Sequence, residues 1–270
     1  MSHAVVALPL ARWLPASAVA TGAMIPDLPY YVPLPFSSQV THSWWGAVLV
    51  DLPTGLAALV LFHLVLRAPL TALTPANLRA RLPDHQGTHP RPVTTPLNDR
   101  WKAVVAALLT GAATHLLWDG FTHFDGFAVT RWAALREPVV GVHRVFNVVM
   151  YASSLGGIAT LAIWFTTWYR RTPLHPHPPA GTAARPRVLV LAVASAAAIA
   201  GAALRVFDDS ATASLYDLVR GALLGATTGF TAAMAAYIAI WHTHKATRRR
   251  LPPPPETTTG QKGARPHPPA

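Results

Sequence analysis

The sequence predicts an all-α fold, a polytopic transmembrane helical bundle of about five spans with an N-terminal re-entrant or interfacial helical segment. Composition is the first reason. Only 12% of the 270 residues are charged and 51% are hydrophobic, whereas an average soluble domain carries about 25% charged residues. The second reason is the presence of five apolar runs near the ~20 residues a spanning helix needs. They lack the alternation of barrel strands, and helices or closed barrels are the structures that satisfy backbone groups in lipid. The third is the placement of tryptophan. Trp44, Trp45, Trp101, Trp118, Trp164, Trp168 and Trp241 lie near run ends, where an indole favours the headgroup layer.

Residues 4–24 are apolar but interrupted by Pro9, Arg12 and Pro15. Without a basic segment before them, they read as retained structure rather than a cleaved leader. The spans follow as Ser43 to Leu66, Trp101 to Trp118, Val145 to Trp168, Val188 to Phe207 and Tyr216 to Trp241. Residues 83–99 read as a polar loop, and the four prolines after Leu251 predict a disordered tail. The expected organisation is a membrane domain over 1–172, a Pro-rich linker over 173–187, a helix pair over 188–244 and a basic tail over 245–270. Ala and Gly in the trailing pair favour close helix packing.

Lys and Arg give an orientation. Arg67, Arg79, Arg81, Arg91, Arg100 and Lys102 share one side with Arg170, Arg171, Arg185, Arg187 and the tail cations from Lys245 to Arg265. Arg12, Arg131, Arg136, Arg144, Arg205 and Arg220 take the other. The richer side is expected to be cytoplasmic, with the tail, in a plasma (inner) membrane. Net charge of +11 then reflects membrane orientation, so the expected partner is the lipid bilayer and no nucleic acid. The absence of Cys excludes disulfides and thiolate metal sites.

Polar residues collect on the side poorer in cations. His115 and Asp119 end the second run, four residues apart. That spacing stacks them on one helix face and aims nitrogen and oxygen at one spot. His123 follows four residues later, with Gly120 between. His42 lies just before the first span, Asp27 sits in a Pro-bounded loop, and His3 opens the chain. Without Cys, such a set suits zinc, manganese or iron better than calcium. Two readings stay open, a divalent metal site or interfacial residues bonded to headgroups, water and each other. If His3 is to join the set, residues 4–24 must fold back rather than cross.

Other polar residues have simpler expectations. Asp51, half a helical turn from His42 in phase, should face elsewhere, bonded to backbone freed by Pro53 or paired with Arg12. His63, His175, His177, His242 and His244 should be solvated or interfacial, and Arg248 to Arg250 a positive-inside anchor. Asp208 and Asp209 should pair locally with Arg205 and Arg220. Segment 128–137 reads as an interfacial amphipathic helix able to lie over the polar set.

Several motifs occur in order: Ser2-His3-Ala4, then Gly22 to Tyr30 with Met24, Pro26, Asp27 and Pro29, then His42-Ser43, then Thr114-His115, Asp119 and Thr122-His123. With Tyr151 to Leu155, this order resembles the DUF4184 family of uncharacterised membrane proteins, over roughly residues 1–172. That family is distantly similar to the YdjM-like membrane-bound metal-dependent hydrolases and to zinc-dependent phospholipase C, which is all-helical. The resemblance implies His42, His115 and Asp119 as metal ligands, Asp27 as ligand or general base, and His3 and His123 as further ligands. Zinc is the implied cofactor. The soluble phospholipases carry a second His-x3-Glu helix, whereas Glu137 and Glu256 here have no His four residues before them. One or two ions, rather than three, is therefore expected. The implied activity is hydrolysis of a phosphoester or other amphiphile at the outer face. The alternative is a non-enzymatic membrane scaffold whose His/Asp cluster is structural. A transporter is disfavoured, because no internal repeat is visible.

Overall fold

A computed structural model describes residues 2–32, 34–82, 97–176, 178, 180–207 and 215–250. Most of the 83–99 loop, His177, the Asp208–Asp209 pair and the tail beyond 250 lie outside the described residues. The structure is helical apart from one two-stranded ribbon.

Five helical segments are long and apolar enough to cross a membrane: Trp44–Leu73, Trp101–Arg131, Val145–Arg171, Ala184–Val206 and Asp217–Thr247. All five expected runs are present, most of them longer than hydropathy alone marked. The second is the molecular axis. Its apolar window is 44% buried, against 6–17% for the other four. Apolar residues on those four, including Leu64, Leu155, Ile163, Ile199 and Ile240, face outward, as a hydrocarbon solvent permits.

The N-terminal segment folds back on itself. Ser2–Val6 and Ala7–Leu10 descend, a turn follows at Ala11 to Pro15, and Ala16–Met24 returns. Pro15 sits just before the returning helix, where its lack of an N–H costs nothing. Ala7, Ala18 and Val19 are buried against Ala107 and Leu108 of the second span. Leu10 and Leu14, near the turn, reach the level of Val104. His3 and Asp27 therefore emerge at the same end, and Arg12 lies at the tip, a hairpin's length away. Its guanidinium lies over the Trp13 ring, 3.7 Å from the centroid.

Small residues allow this docking. A Cβ on Gly22 would collide with the Leu108 carbonyl, and one on Gly111 with the Val19 carbonyl. The two helices pack backbone to backbone, as small residues permit in lipid.

Two features of the first span were not visible in hydropathy. Ala47–Asp51 and Phe62–Leu66 are π-helical turns, each a local slip in hydrogen-bond register. Val65 O lies four residues before Pro69, which has no N–H to offer it, and His242 Nε2 on the fifth span bonds that carbonyl at 2.9 Å. Tyr237 donates to Pro69 O at 3.1 Å nearby. The trailing pair touches the first span through these bonds. The described residues of 173–183 contain no helix or strand. They are tied down by bonds from His175 N to Ala80 O and from Thr182 N to Ala72 O.

Segment 128–137 is not one amphipathic helix. It breaks at Trp132 into Phe127–Arg131 and Ala133–Arg136, and leads into a ribbon of Pro138–Val140 with His143–Arg144. Gly141 turns the ribbon at φ 57°, a conformation glycine adopts without strain.

Replacing Gly111 with Val should destabilise the folded protein by at least about 1–3 kcal/mol, the usual cost of overpacking. Gly156→Ala, where an added Cβ meets nothing within 4 Å, should be close to neutral. Thermal unfolding in detergent compares the two.

Candidate metal centre

Four polar side chains converge from three chain segments. Asp27, His42, His115 and Asp119 each offer one ligand atom, all within 4.8 Å of one another.

Local structure places each. Asp27 sits in the 3-10 turn Ile25–Tyr30, which Pro26 and Pro29 stiffen. Thr41 is fully buried, and its Oγ1 donates to Pro26 O at 2.7 Å. That bond pins the Thr41-His42-Ser43 corner against the Asp27 turn. Ser43 Oγ then accepts from Gly46 N at 3.0 Å and opens the first span, as an N-cap does. His115 and Asp119 lie one turn apart on the second span. The helix continues past Gly120, with His123 N bonded to Asp119 O at 3.0 Å, so His123 stays on the same face.

The two histidines are oriented in the same manner. His42 Nδ1 lies 2.8 Å from Ser38 O, and His115 Nδ1 lies 2.8 Å from Ala23 O. Carbonyls only accept, so each Nδ1 carries the proton and donates it. Each Nε2 is then left with a lone pair when the ring is neutral. Those two nitrogens face each other at 3.3 Å. Two lone pairs at that distance repel unless a proton or a metal ion lies with them. Anchoring the distal ring nitrogen on a carbonyl is how metal-binding histidines are commonly fixed.

Carboxylates complete the set. Asp119 Oδ2 lies 3.0 Å from His115 Nε2 and 3.5 Å from His42 Nε2. Asp27 Oδ1 lies 3.5 Å from His42 Nε2 and 3.6 Å from His115 Nε2. The 3.0 Å contact is an ordinary hydrogen bond and the others are at its long limit. All of them also match the edge of a coordination polyhedron, since bonds of 2.0–2.1 Å place tetrahedral ligands about 3.3 Å apart. His115 is 0% exposed and Asp119 8%, so both need partners. The donor set therefore fits a metal ion, and the cluster is able to hold one.

Electrostatics agree for the groups outside the spans. Burial works against a charge on His42, but hydrogen bonds to Asp119, Asp27 and the Ser38 carbonyl raise its pKa to about 10. Burial also opposes charge on Asp27, yet the His42 hydrogen bond and the His115 charge hold it below the usual carboxylate range. His3 moves the other way. Burial and the neighbouring His115 push it down to about 4, so it is neutral near pH 7.

His3 and His123 stand beside the four. The His3 ring stacks on His115 with centroids 4.1 Å apart. Both His3 Nε2 and His123 Nδ1 lie 3.6 Å from Asp119 Oδ1. His143 does not join and packs edge-on against Tyr151.

Asp51 lacks the bonding partners expected for it. It is 2% exposed, neither oxygen has a hydrogen-bond partner among the described residues, and it is within electrostatic reach of His42 and His115. It pairs neither with Arg12 nor with backbone freed by Pro53. His42 lies in the corner before the span rather than on its helix, and the π-turn ending at Asp51 shifts the phase again.

The cluster opens into a pocket of about 290 Å³. His42, Asp119, His123 and Asp125 give its polar wall, and Tyr30, Trp44, Leu116 and Phe127 its apolar wall. Gly126 and Phe127 line it, whereas no residue of segment 128–137, expected to cover the polar set, is part of that lining. Tyr30, Trp44 and Phe127 carried no signal of this role in the sequence beyond being aromatic near span ends.

The sequence profile of one family, described as a domain of unknown function, matches residues 1–244. The match runs through the trailing helix pair, beyond the 1–172 stretch that carried the motifs. No curated protein and no solved structure matches the chain.

Ion binding must displace the proton that His42 holds at pH 7. Zinc uptake should therefore release at least one proton per ion near neutral pH, and affinity should rise with pH up to about 10. Calorimetry in buffers of different ionisation enthalpy measures the release. Without an ion, the raised His42 contributes stability that is complete below pH 6.5 and is lost as pH rises through about 10.

Proposed function

The chain belongs to the DUF4184 family, and from its His/Asp cluster we propose that it is a membrane-embedded metal-dependent hydrolase, with zinc as the cation. The observation that carries this reading is the pocket. His42 and Asp119 belong to the four-residue cluster and also line an open cavity. Structural metal sites are closed by protein ligands, whereas catalytic ones keep an accessible position.

The substrate class is a phosphoester or another amphiphile. The pocket's lining includes no Lys or Arg, so a substrate's negative charge would be met by the cation. Trp44 opens the first span and lines the pocket, which supports access from the headgroup layer. The distribution of Lys and Arg supports an outer-face site in the plasma membrane, with a cytoplasmic tail.

A divalent cation held by His42, His115 and Asp119, with Asp27 beside the open position, would acidify a coordinated water toward a pKa of about 7. The protein's own groups do the rest. Ser38 and Ala23 carbonyls fix the two imidazoles. Asp27, ionised near neutral pH, orients the water and accepts its proton. The aromatic wall excludes bulk water and holds an apolar tail.

A second reading has an observation of its own. The cluster ties the N-terminal hairpin, the His42 corner and the second span together, so it also suits a structural staple in a non-enzymatic scaffold.

Purified protein in nanodiscs should contain stoichiometric metal and hydrolyse an activated phosphodiester or a dispersed phospholipid. His115→Ala with Asp119→Ala should lose both metal and turnover. Asp27→Asn should lower kcat by roughly 10²–10⁴, the usual range for general-base loss. Bound metal without turnover on any phosphoester or ester, with a lowered Tm on chelation, selects the staple. Absence of stoichiometric metal overturns the hydrolase and leaves the cluster structural in a non-enzymatic scaffold.

A further inference from the structure

The connection between the second and third spans carries an apolar tip that the described residues leave uncovered. The ribbon of Pro138–Val140 with His143–Arg144 turns at Gly141. Val139, Val140 and Val142 around that turn are 51%, 71% and 88% exposed. None of the three belongs to a span, so lipid contact along a spanning helix does not account for them.

The ribbon is fixed to the third span rather than free above it. Val145 N bonds Glu137 O and Arg144 N bonds Asn147 Oδ1, both at 3.0 Å. His143 turns back along the helix, where its ring meets that of Tyr151 with centroids 5.6 Å apart. Tyr151 lies two turns into the span, about 9 Å along the helix from Val145. The 27 residues of Val145–Arg171 make about 40 Å of helix, close to the ~40–45 Å of a bilayer with its headgroup layers. The ribbon therefore lies beside the end of the span, at the depth of the headgroups.

Three arginines run from the pocket rim to this ribbon. Arg131 donates to Phe127 O at 3.1 Å, Arg136 to Thr130 O at 3.1 Å and Arg144 to Arg136 O at 2.7 Å. All three are exposed, and none pairs with a carboxylate among the described residues. A guanidinium has five N–H donors, so the carbonyls orient these groups and leave donors for a phosphate. Against them stands Glu137 alone between Gly126 and Arg144. Trp132, 55% exposed, sits among them with its ring against Phe121, as an interfacial indole would.

We infer that this connection docks into the leaflet on the side of the His/Asp cluster. Val139, Val140 and Val142 enter the boundary between headgroups and acyl chains. Arg131, Arg136 and Arg144 hold the phosphates of anionic phospholipids. Apolar residues beside cations are the pattern by which interfacial segments bind such lipids. The docked segment holds Phe127, and with it one wall of the pocket, at the headgroup layer. Docking of this kind needs neither a metal ion nor turnover, so its failure and that of the hydrolase reading are separate events.

The chain contains no Cys, so Val140→Cys and Val142→Cys each place one environment-sensitive fluorophore on the tip of the full chain in nanodiscs. In equimolar phosphatidylglycerol and phosphatidylcholine, both labels should emit in the blue and resist aqueous iodide. They should lose most of their emission to a phosphatidylcholine carrying a nitroxide near the headgroup end of its acyl chain. Phosphatidylcholine alone should weaken that lipid quenching. So should 1 M salt, which cuts the reach of a charge to about 3 Å. Exchanging Arg131, Arg136 and Arg144 together for Gln, with helicity checked by circular dichroism, should make the quenching independent of phosphatidylglycerol. Should that variant not fold, the salt dependence of the unexchanged chain decides the same point. Quenching by iodide and not by the lipid nitroxide overturns docking. Resistance to both quenchers assigns the tip to a protein surface, a second copy or another chain, and overturns lipid as its occupant. Lipid quenching that ignores both phosphatidylglycerol and salt overturns the role of the arginines.

Discussion

A carboxylate buried inside a membrane bundle is the constraint on which the rest of this structure turns. Asp119 is 8% exposed and sits on the most buried of the five spans. An ionised group there is stable only when partners replace the water it has lost. Neither a Lys nor an Arg is paired with it among the described residues; the groups around it are imidazoles and a second carboxylate. Of the four imidazoles, those of His3 and His42 come from distant parts of the sequence and those of His115 and His123 lie four residues to either side. A protonated histidine can offset one negative charge. Two carboxylates and two mutually facing imidazole nitrogens are better satisfied by a cation of higher charge.

Much of the fold serves that convergence. The N-terminal hairpin descends along the second span and returns, so that His3 and Asp27 arrive at the level of His115. Gly22 and Gly111 let the backbones approach closely enough for the Ala23 carbonyl to fix the His115 ring. The buried Thr41 hydroxyl joins the His42 corner to the Asp27 turn. Removing any of these supports would loosen ligands it does not itself contain. The trailing helix pair, by contrast, touches the first span through Tyr237 and His242, at residues 65–69 rather than at the cluster.

The legible part of this arrangement was what obeys simple periodicity or length. Five spans follow from hydropathy, and the His115–Asp119 pair follows from four-residue helical spacing. The convergence of Asp27 and His42 followed from topology alone, because span ends on one side of a membrane are neighbours. His3 was legible only conditionally, through the requirement that residues 4–24 fold back. What stayed hidden depends on hydrogen-bond register and tertiary contact. A π-turn is a slip in backbone bonding that leaves hydropathy unchanged. The ribbon at Pro138–Arg144 is too short to show a strand pattern.

The central claim is that the convergent histidines and carboxylates form a metal site. Zinc-edge X-ray absorption of zinc-loaded wild type measures this most directly. A shell of nitrogen and oxygen at about 2.0–2.1 Å, with the outer-shell scattering of at least two imidazoles, is the expected result. Zinc surrounded by oxygen alone, without imidazole scattering, would contradict it.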